Sequence, residues 1–391
     1  MAIQKLQISG YRSIRDVHLT LKPVNVLLGE NGTGKSNLYR ALYLIWAAAS
    51  GSLPRALADE GGLPSALWAG RRRKTEKALI KLKLELDELS YSLVLGRVPL
   101  SDRTAGKAPD EETDFMEFFL NDPDIKAEEV SVDYRGKKIS LLNRKRGAIS
   151  ARNMDGRPID YPLAVTECES VLSGLREPHL FPDLSALRSE ILSWRFYHNF
   201  RTDSSSPLRQ AQIPVFTPIL NHEGTDLAAA LATICAIDGR KELDTALDDA
   251  FPGARLEFDK IDDRLDVGLR MPEFNRPFWS SELSDGTLQY LCLLAALLTP
   301  RPPGLMALNE PETSIHVDLM EPLARLITKA SKRSQLWITT HSTDLARFIK
   351  KSGGISPIEL EKVEGETRIV GAKLVEDDDD YDYDDENHDD Q

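Results

Sequence analysis

Eight consecutive residues, Gly29-Glu30-Asn31-Gly32-Thr33-Gly34-Lys35-Ser36, have the types and spacing that cradle a phosphate. Gly29, Gly32 and Gly34 let the backbone curl so that successive N–H groups face phosphate oxygens. Lys35 would reach the β/γ-phosphates, and the Ser36 hydroxyl would ligate an accompanying Mg2+. Asn31, Thr33 and Asn37 belong to the same cradle, and the helix that follows would aim its positive end at the anion. ATP with Mg2+ is the implied ligand.

The second half of such a site needs a carboxylate at a strand end, and GLMALNEPETSIH (304–316) offers it. Glu310, just past the apolar run, is the candidate general base that orients the attacking water. Asn309 stands where a carboxylate would meet the metal's water shell. Its amide oxygen still accepts a hydrogen bond from Mg2+-bound water, but it brings no negative charge. The expected result is weaker Mg2+ binding with the base retained. Glu312 reads as an acid near the start of a helix over 317–331, or as a second catalytic carboxylate. His341 ends another apolar strand, LWITTH, and in this order it reads as a γ-phosphate sensor. In LSDGT (283–287), Ser284 caps a helix. The N-terminus of that helix, with Gly286, would face a phosphate or serve as a plain cap.

Holding these groups together takes strands that end side by side. Strands are expected at 2–9, 15–21 and 24–28, with VNVLL apolar enough to be buried on both faces. Period-two alternation at 77–86, in parts of 91–97 and in parts of 128–142 predicts antiparallel strands with one wet face. Amphipathic patches mark helices at 164–176, 182–195, 225–238 and 240–250, and strands resume at 254–258 and 264–270. A helix–strand rhythm then runs through helix 285–298, strand 304–309, helix 317–331, strand 335–340 and helix 342–350, with two weak strands near 357–372. The expected divisions are an N-terminal ATPase part (1–99), an inserted helical and antiparallel lobe (100–225), a C-terminal ATPase part (226–375) and an acidic tail (376–391).

Composition narrows the class. The chain has 391 residues, 41% of them hydrophobic, which suits a globular α/β protein with a sizeable core. Net charge is −13. The sixteen-residue tail EDDDDYDYDDENHDDQ carries −11 of it, so the body is left near −2. The tail reads as a disordered, solubilising segment or as a nucleic-acid mimic. Arg71, Arg72 and Arg73, and Arg144, Lys145 and Arg146, form local basic clusters that read as a solvated face or as DNA phosphate contacts. Cys168, Cys235 and Cys292 are far apart with no CxxC pair, which argues against a disulfide framework or zinc site and suits a cytoplasmic location. The N-terminus shows no signal peptide. The longest apolar helical run, 287–299, is shorter than the ~20 residues of a membrane span, so no membrane partner is expected.

The four motifs in order, GENGTGKS, LSDGT, ALNEPE and His341, resemble the ATP-binding cassette (ABC) ATPases, and within them the RecF/SMC-like AAA branch. LQISGYRSIRDVHLTL and NEPETSIHVDL are similar to that branch as well. The resemblance covers residues 1–50 and 280–350 and implies an ABC-type P-loop core with a mixed sheet. It further implies that ATP joins two copies, with Ser284 of one meeting the γ-phosphate held by Lys35 of the other. Tyr11, Arg12 and Ser13 match the segment placed near the nucleotide, or form a surface turn. Ser314-Ile315-His316 matches the loop that approaches the dimer interface. Gln210 and Gln212 are candidates for the family's glutamine between the first two motifs. The chain is too short and aperiodic for SMC coiled-coil arms, and too little follows His341 for a Toprim nuclease.

Three functions follow as expectations. The first is an ATP-hydrolysing, dimerising switch in DNA repair or genome maintenance. The second is the ATPase of an antiviral defence system that licenses a separately encoded nuclease or toxin. The third is a nucleotide-gated scaffold with little hydrolysis, which Asn309 would favour.

Overall fold

Val24–Leu28, VNVLL, has apolar side chains on both faces and forms the buried centre of a six-stranded sheet. In this computed structural model the described residues are 1–72, 76–97, 121–145, 147–160, 165–175 and 177–371. The acidic tail, Arg73 and Arg146 lie outside them. The sheet runs in the order Arg195–Tyr197, Leu305–Asn309, Gln335–Thr340, Val24–Leu28, Ile358–Val363, Glu366–Ile369. The first five strands are mutually parallel and the last returns antiparallel.

Period two divides each parallel strand between two cores. Leu305, Ala307, Trp337, Phe196 and Leu27 pack on the side of the helix Lys35–Ser50. Met306, Leu308, Leu336, Ile338, Tyr197, Val24 and Val26 pack on the opposite side. There they meet the helices Leu227–Ile237, Asp285–Leu297, Met320–Ala330 and Thr343–Gly353. Burial on both faces is why these strands read as continuous apolar runs.

A second, eight-stranded sheet is antiparallel throughout: Ile14–Thr20, Ile3–Tyr11, Ile80–Leu86, Leu89–Gly96, Asp124–Tyr134, Lys137–Lys145, Ala148–Arg152, Pro158–Asp160. The antiparallel strands expected beyond residue 100 are present, but they are not set apart. Leu89–Gly96 pairs directly with Asp124–Tyr134, so the line drawn at 99/100 crosses a continuous sheet. At the far end of the expected lobe, Arg195–Tyr197 joins the parallel sheet beside Leu305–Asn309. Two helix expectations shrink. Among the described residues of the patch 164–176 the helix is Val171–Gly174, and 317–331 opens with a 3-10 turn, Val317–Leu319, before Met320–Ala330.

Candidate functional site

Because neighbouring strands of the large sheet are parallel, their carboxyl ends share one edge. His198 follows Tyr197, Glu310 follows Asn309, His341 follows Thr340 and Gly29 follows Leu28. Open α/β sheets bind ligands along such an edge. A hollow of about 690 Å³ opens there, lined by Gly29–Thr33, His341, Thr343, Glu359 and Lys362 among others.

The phosphate loop is held from both sides. Gly32 and Gly34 have φ of 83° and 101°, a region that other residues rarely adopt. A Cβ on Gly34 would lie 2.0 Å from the Thr367 hydroxyl, so only glycine admits that neighbour. Thr367 Oγ1 donates to the Thr33 carbonyl at 2.9 Å, and Thr367 N donates to the Ser13 carbonyl at 2.8 Å. Asn37 Nδ2 donates to Ser13 Oγ at 2.7 Å. With the Thr367 proton already committed, the 2.7 Å contact between Ser13 and Thr367 has the Ser13 hydroxyl as donor. A relay from Asn37 through Ser13 and Thr367 to Thr33 therefore fixes the loop. Asn37 and Ser13, expected to touch the ligand, brace the loop that would hold it. Thr367 was not foreseen, since a Thr in a short polar hairpin carries no motif.

Lys35 Nζ donates to the carbonyls of Gly29 at 2.6 Å and Glu30 at 2.8 Å. Burial pushes its pKa below the ordinary lysine range, against which Glu310 and then Glu312 act. Ser36 and Asn31 are exposed on the loop. Arg12 follows a buried Tyr11 at φ 50°, and both side chains bind one carboxylate. Tyr11 OH donates to Glu60 at 2.7 Å and Arg12 Nε at 3.0 Å, with Arg40 3.6 Å away. The Tyr11–Arg12 turn is thus anchored by Glu60.

Glu310 sits at φ 47°, held there by its N–H donating to the Thr339 carbonyl at 2.8 Å. A left-handed glutamate is uncommon and costs about 1 kcal/mol or more, a strain often seen at functional sites. Asn309 Oδ1 accepts from Thr339 Oγ1 at 2.8 Å. Glu312 is a buried acid and not a helix-start one. It is 5% exposed, and its Oε1 accepts from Thr340 Oγ1 (2.5 Å), His341 N (3.1 Å) and Ser342 N (3.3 Å). The 3-10 turn it was expected to serve is capped by His316. Glu312 is a strut under His341, whose Nδ1 lies 3.4 Å from Glu312 Oε1 and 3.9 Å from Glu310 Oε1.

Ser284 caps Asp285–Leu297, its Oγ accepting from Thr287 N at 3.2 Å. The loop before it is organised by Arg209, which was not foreseen. Arg209 donates to the carbonyls of Thr202 (2.8 Å) and Leu283 (2.6 Å) and to Asp285 Oδ1 (2.6 Å). A Cβ on Gly286 would meet the Ser314 carbonyl at 2.4 Å, so this glycine lets the left-handed Ser314 pack on the helix start. Among the described residues no hydrogen bond or ion pair joins Ser284 to the phosphate loop.

The sequence candidates for the missing glutamine fall elsewhere. Gln210 is exposed beyond a 3-10 turn, and Gln212 pairs with Leu265 and accepts from Ala228 N at 3.1 Å. The residue on the site's edge is His198. Its ring lies 5.8 Å from that of Tyr39. Burial and the Arg40 charge push its pKa below the ordinary value, against Glu310. The basic clusters fare unevenly. Arg144 is buried and donates to the carbonyls of Thr166 (2.9 Å) and Glu169, so it is a structural clamp and not a DNA contact. Arg72 donates to the Trp68 carbonyl, while Arg71 and Lys145 are exposed.

A Gly-rich loop, an acidic strand end and His341 along one edge of a parallel sheet fit the arrangement of a RecF/SMC-like, ABC-type ATPase. Residues 24–347 match the family described as "AAA domain, putative AbiEii toxin, Type IV TA system", and the chain belongs to that family. It is 48% identical over 46 residues to the DNA replication and repair protein RecF of Limosilactobacillus fermentum, a match spanning 12% of each chain. Among solved structures it is similar to the SMC head domain from Thermotoga maritima, with 15% identity, a TM-score of 0.47 and coverage of 96% of this chain and 100% of that one. It is also similar to an Smc head domain bound to the C-terminal domain of ScpA from Pyrococcus furiosus, with 13% identity, a TM-score of 0.47 and coverage of 94% and 96%. Among the described residues no helix is long and apolar enough to cross a membrane.

Proposed function

We propose that the chain binds Mg-ATP at the carboxyl edge of its parallel sheet and hydrolyses it, with Glu310 as the base that orients water and His341 as the sensor of the γ-phosphate. The observation that carries this reading is the meeting of Lys35, Glu310 and His341 at that edge. Among the described residues no cluster of three or more His, Cys, Asp or Glu could hold a metal unaided. The Ser36 hydroxyl and the Asn309 amide are neutral oxygens that fit a hard cation already carried by phosphates and water. Bound through Ser36 and the water shell near Asn309, Mg2+ would supply neutralisation of phosphate charge, while the chain would orient the nucleotide and the water.

Among the described residues no hydrogen bond or ion pair joins Ser284 to the phosphate loop, and a second copy would be the donor of the serine-capped helix. ATP would then clamp two copies, and the closed pair would act as a switch on DNA in repair or genome maintenance. The short RecF match supports that use. Arg71 and Lys145 remain the exposed candidates for phosphate contacts. A second reading is an ATPase that works with a separately encoded nuclease or toxin in antiviral defence; the family description, which names a putative toxin of a type IV system, bears on its toxin side.

Steady-state ATP turnover by the full chain, with and without DNA, tests the common core of both readings. Glu310→Gln is expected to lower turnover by roughly 10²–10⁴-fold while trapping an ATP-bound dimer. Nucleotide binding without turnover under any condition would instead make the chain a gated scaffold.

A further inference from the structure

We propose that the acidic tail of one copy, through Tyr381 and Tyr383, docks on the exposed segment 213–216 of a second copy and so straps the nucleotide-clamped pair together. The proposal rests on the ATP-joined pair described above. Ile213, Val215 and Phe216 are 67%, 61% and 67% exposed, and Pro214 between them is exposed as well. Neighbouring large apolar side chains held in solvent mark an interaction surface, which singly scattered ones do not. Their backbone is open too. Gln212 exchanges both of its bonds with Leu265, at 2.8 and 2.7 Å, so the segment starts as a sheet edge. Beyond it, among the described residues, no hydrogen bond engages the N–H of Ile213, Val215 or Phe216. Open N–H groups beside apolar side chains suit the addition of an extended segment.

Charge complementarity selects the tail as the occupant. Arg264 Nη1 donates to the Ala211 carbonyl at 3.2 Å at one end of the segment, and Arg301 N donates to the Pro218 carbonyl at the other. Both arginines are exposed, and among the described residues no carboxylate pairs with either. The tail, EDDDDYDYDDENHDDQ, has the matching order: Tyr381 and Tyr383 at period two, acids on both sides of them, and no Lys or Arg. Seated as a strand, it lays both rings on one face, against Ile213 and Val215, while the flanking acids meet Arg264 and Arg301. The topology makes this a contact between copies. The described residues end at Gly371, just past the hairpin 358–369 that Thr367 ties to the phosphate loop. Segment 213–216 follows Arg209, which binds Leu283 and Asp285 around the cap Ser284. Within one copy, among the described residues, no hydrogen bond or ion pair joins that hairpin to residues 209–217. In a pair where Ser284 of one copy meets the nucleotide held by the other, the hairpin and the segment of different copies come together. Tyr381 lies ten residues beyond Gly371, an extended reach of about 33 Å.

The test uses the full chain in a Glu310→Gln background. Tyr383→p-benzoylphenylalanine supplies a photoreactive group, and 15N-labelled protein is mixed with unlabelled protein. Mass spectrometry of the crosslinked peptides is expected to join residue 383 to residues 211–217 of the other isotopic copy, with ATP and not without it. Arg264→Glu together with Arg301→Glu should weaken ATP-driven association by roughly tenfold or more, because two reciprocal straps act as linked sites. ATP affinity should not change. Removing residues 376–391 should weaken association equally, and the charge reversals should then add no further loss. A crosslink within one copy, a crosslink elsewhere on the chain, or association of unchanged strength without the tail would overturn the strap and leave the nucleotide reading intact. A chain that binds ATP yet stays single would overturn the strap and the pair it joins. A chain that binds no ATP would overturn the nucleotide reading as well.

Discussion

The hydroxyl of Thr367 donates to the carbonyl of Thr33 at 2.9 Å, tying the hairpin Ile358–Ile369 to the phosphate loop. The loop's left-handed Gly34 exists to admit that hydroxyl. Thr367→Val keeps the shape and removes this bond together with the one accepted from Ser13. A net loss of about 1 kcal/mol for each hydrogen bond corresponds to roughly fivefold or more weaker ATP binding, with circular dichroism unchanged. Calorimetric titration with ATP reads it. Unaltered affinity would mean the loop holds its form without the hairpin.

Glu312 gathers the hydroxyl of Thr340 and the N–H groups of His341 and Ser342 on one buried oxygen. Glu312→Ala leaves the Thr340 hydroxyl and His341 N–H without this acceptor, while Ser342 N keeps Thr340 Oγ1, at about 1–3 kcal/mol for each buried group left unpaired. The expected loss of unfolding free energy is about 3 kcal/mol or more, read by urea denaturation, and turnover should fall with it because His341 loses its seat. Glu312→Gln retains an acceptor and should recover most of the stability. Equal stability of the alanine variant and the unsubstituted chain would show that Glu312 is not a strut.

Much of this site was legible in the sequence because each motif residue follows an apolar strand. VNVLL, LMALN and QLWITT are buried on both faces, so their runs stand out, and the residues after them fall on one edge once the strands are parallel. Arg195–Tyr197 is only three residues long, too short for periodicity to reveal, and His198 was missed with it. Thr367 and Arg209 act through backbone carbonyls far away in sequence, and such contacts leave no spacing pattern. Arg144 looked like a surface charge because neighbouring basic residues mask a buried one. Its partners are carbonyls, which no charge pattern reports.

Arg209 offers a way to separate binding from closure. It holds Thr202, Leu283 and Asp285 together beside the cap Ser284, and among the described residues no hydrogen bond or ion pair joins it to the phosphate loop. Arg209→Met should leave ATP affinity within about twofold. Loss of the charge-assisted bonds, about 1.5–3 kcal/mol, should weaken ATP-driven association by roughly tenfold or more in a Glu310→Gln background. Sedimentation velocity measures the association. A dimer of unchanged strength would remove the serine-capped helix from the proposed interface.

Glu128 makes folding depend on pH in a direction opposite to most carboxylates. It is buried in the antiparallel sheet, where it accepts from Tyr91 OH at 3.0 Å, from Ser170 Oγ and from Val171 N at 2.8 Å. Burial raises its pKa, and these bonds and Arg144 only partly oppose the rise. A raised folded value means that the folded chain holds the proton more tightly than the unfolded chain does. The stability from that proton is complete below the ordinary glutamate range and is lost as pH rises through the folded value. Glu128→Gln cannot titrate, and every other carboxylate titrates alike in both chains. The stability of the unsubstituted chain minus that of Glu128→Gln should therefore fall as pH rises from about 4.3. Inside the window the slope reaches at most about 1.4 kcal/mol per pH unit. Urea denaturation of both chains between about pH 4 and pH 8 gives this difference. A difference that stays flat or climbs with pH would show that Glu128 is held as a carboxylate by Arg144 and its three donors.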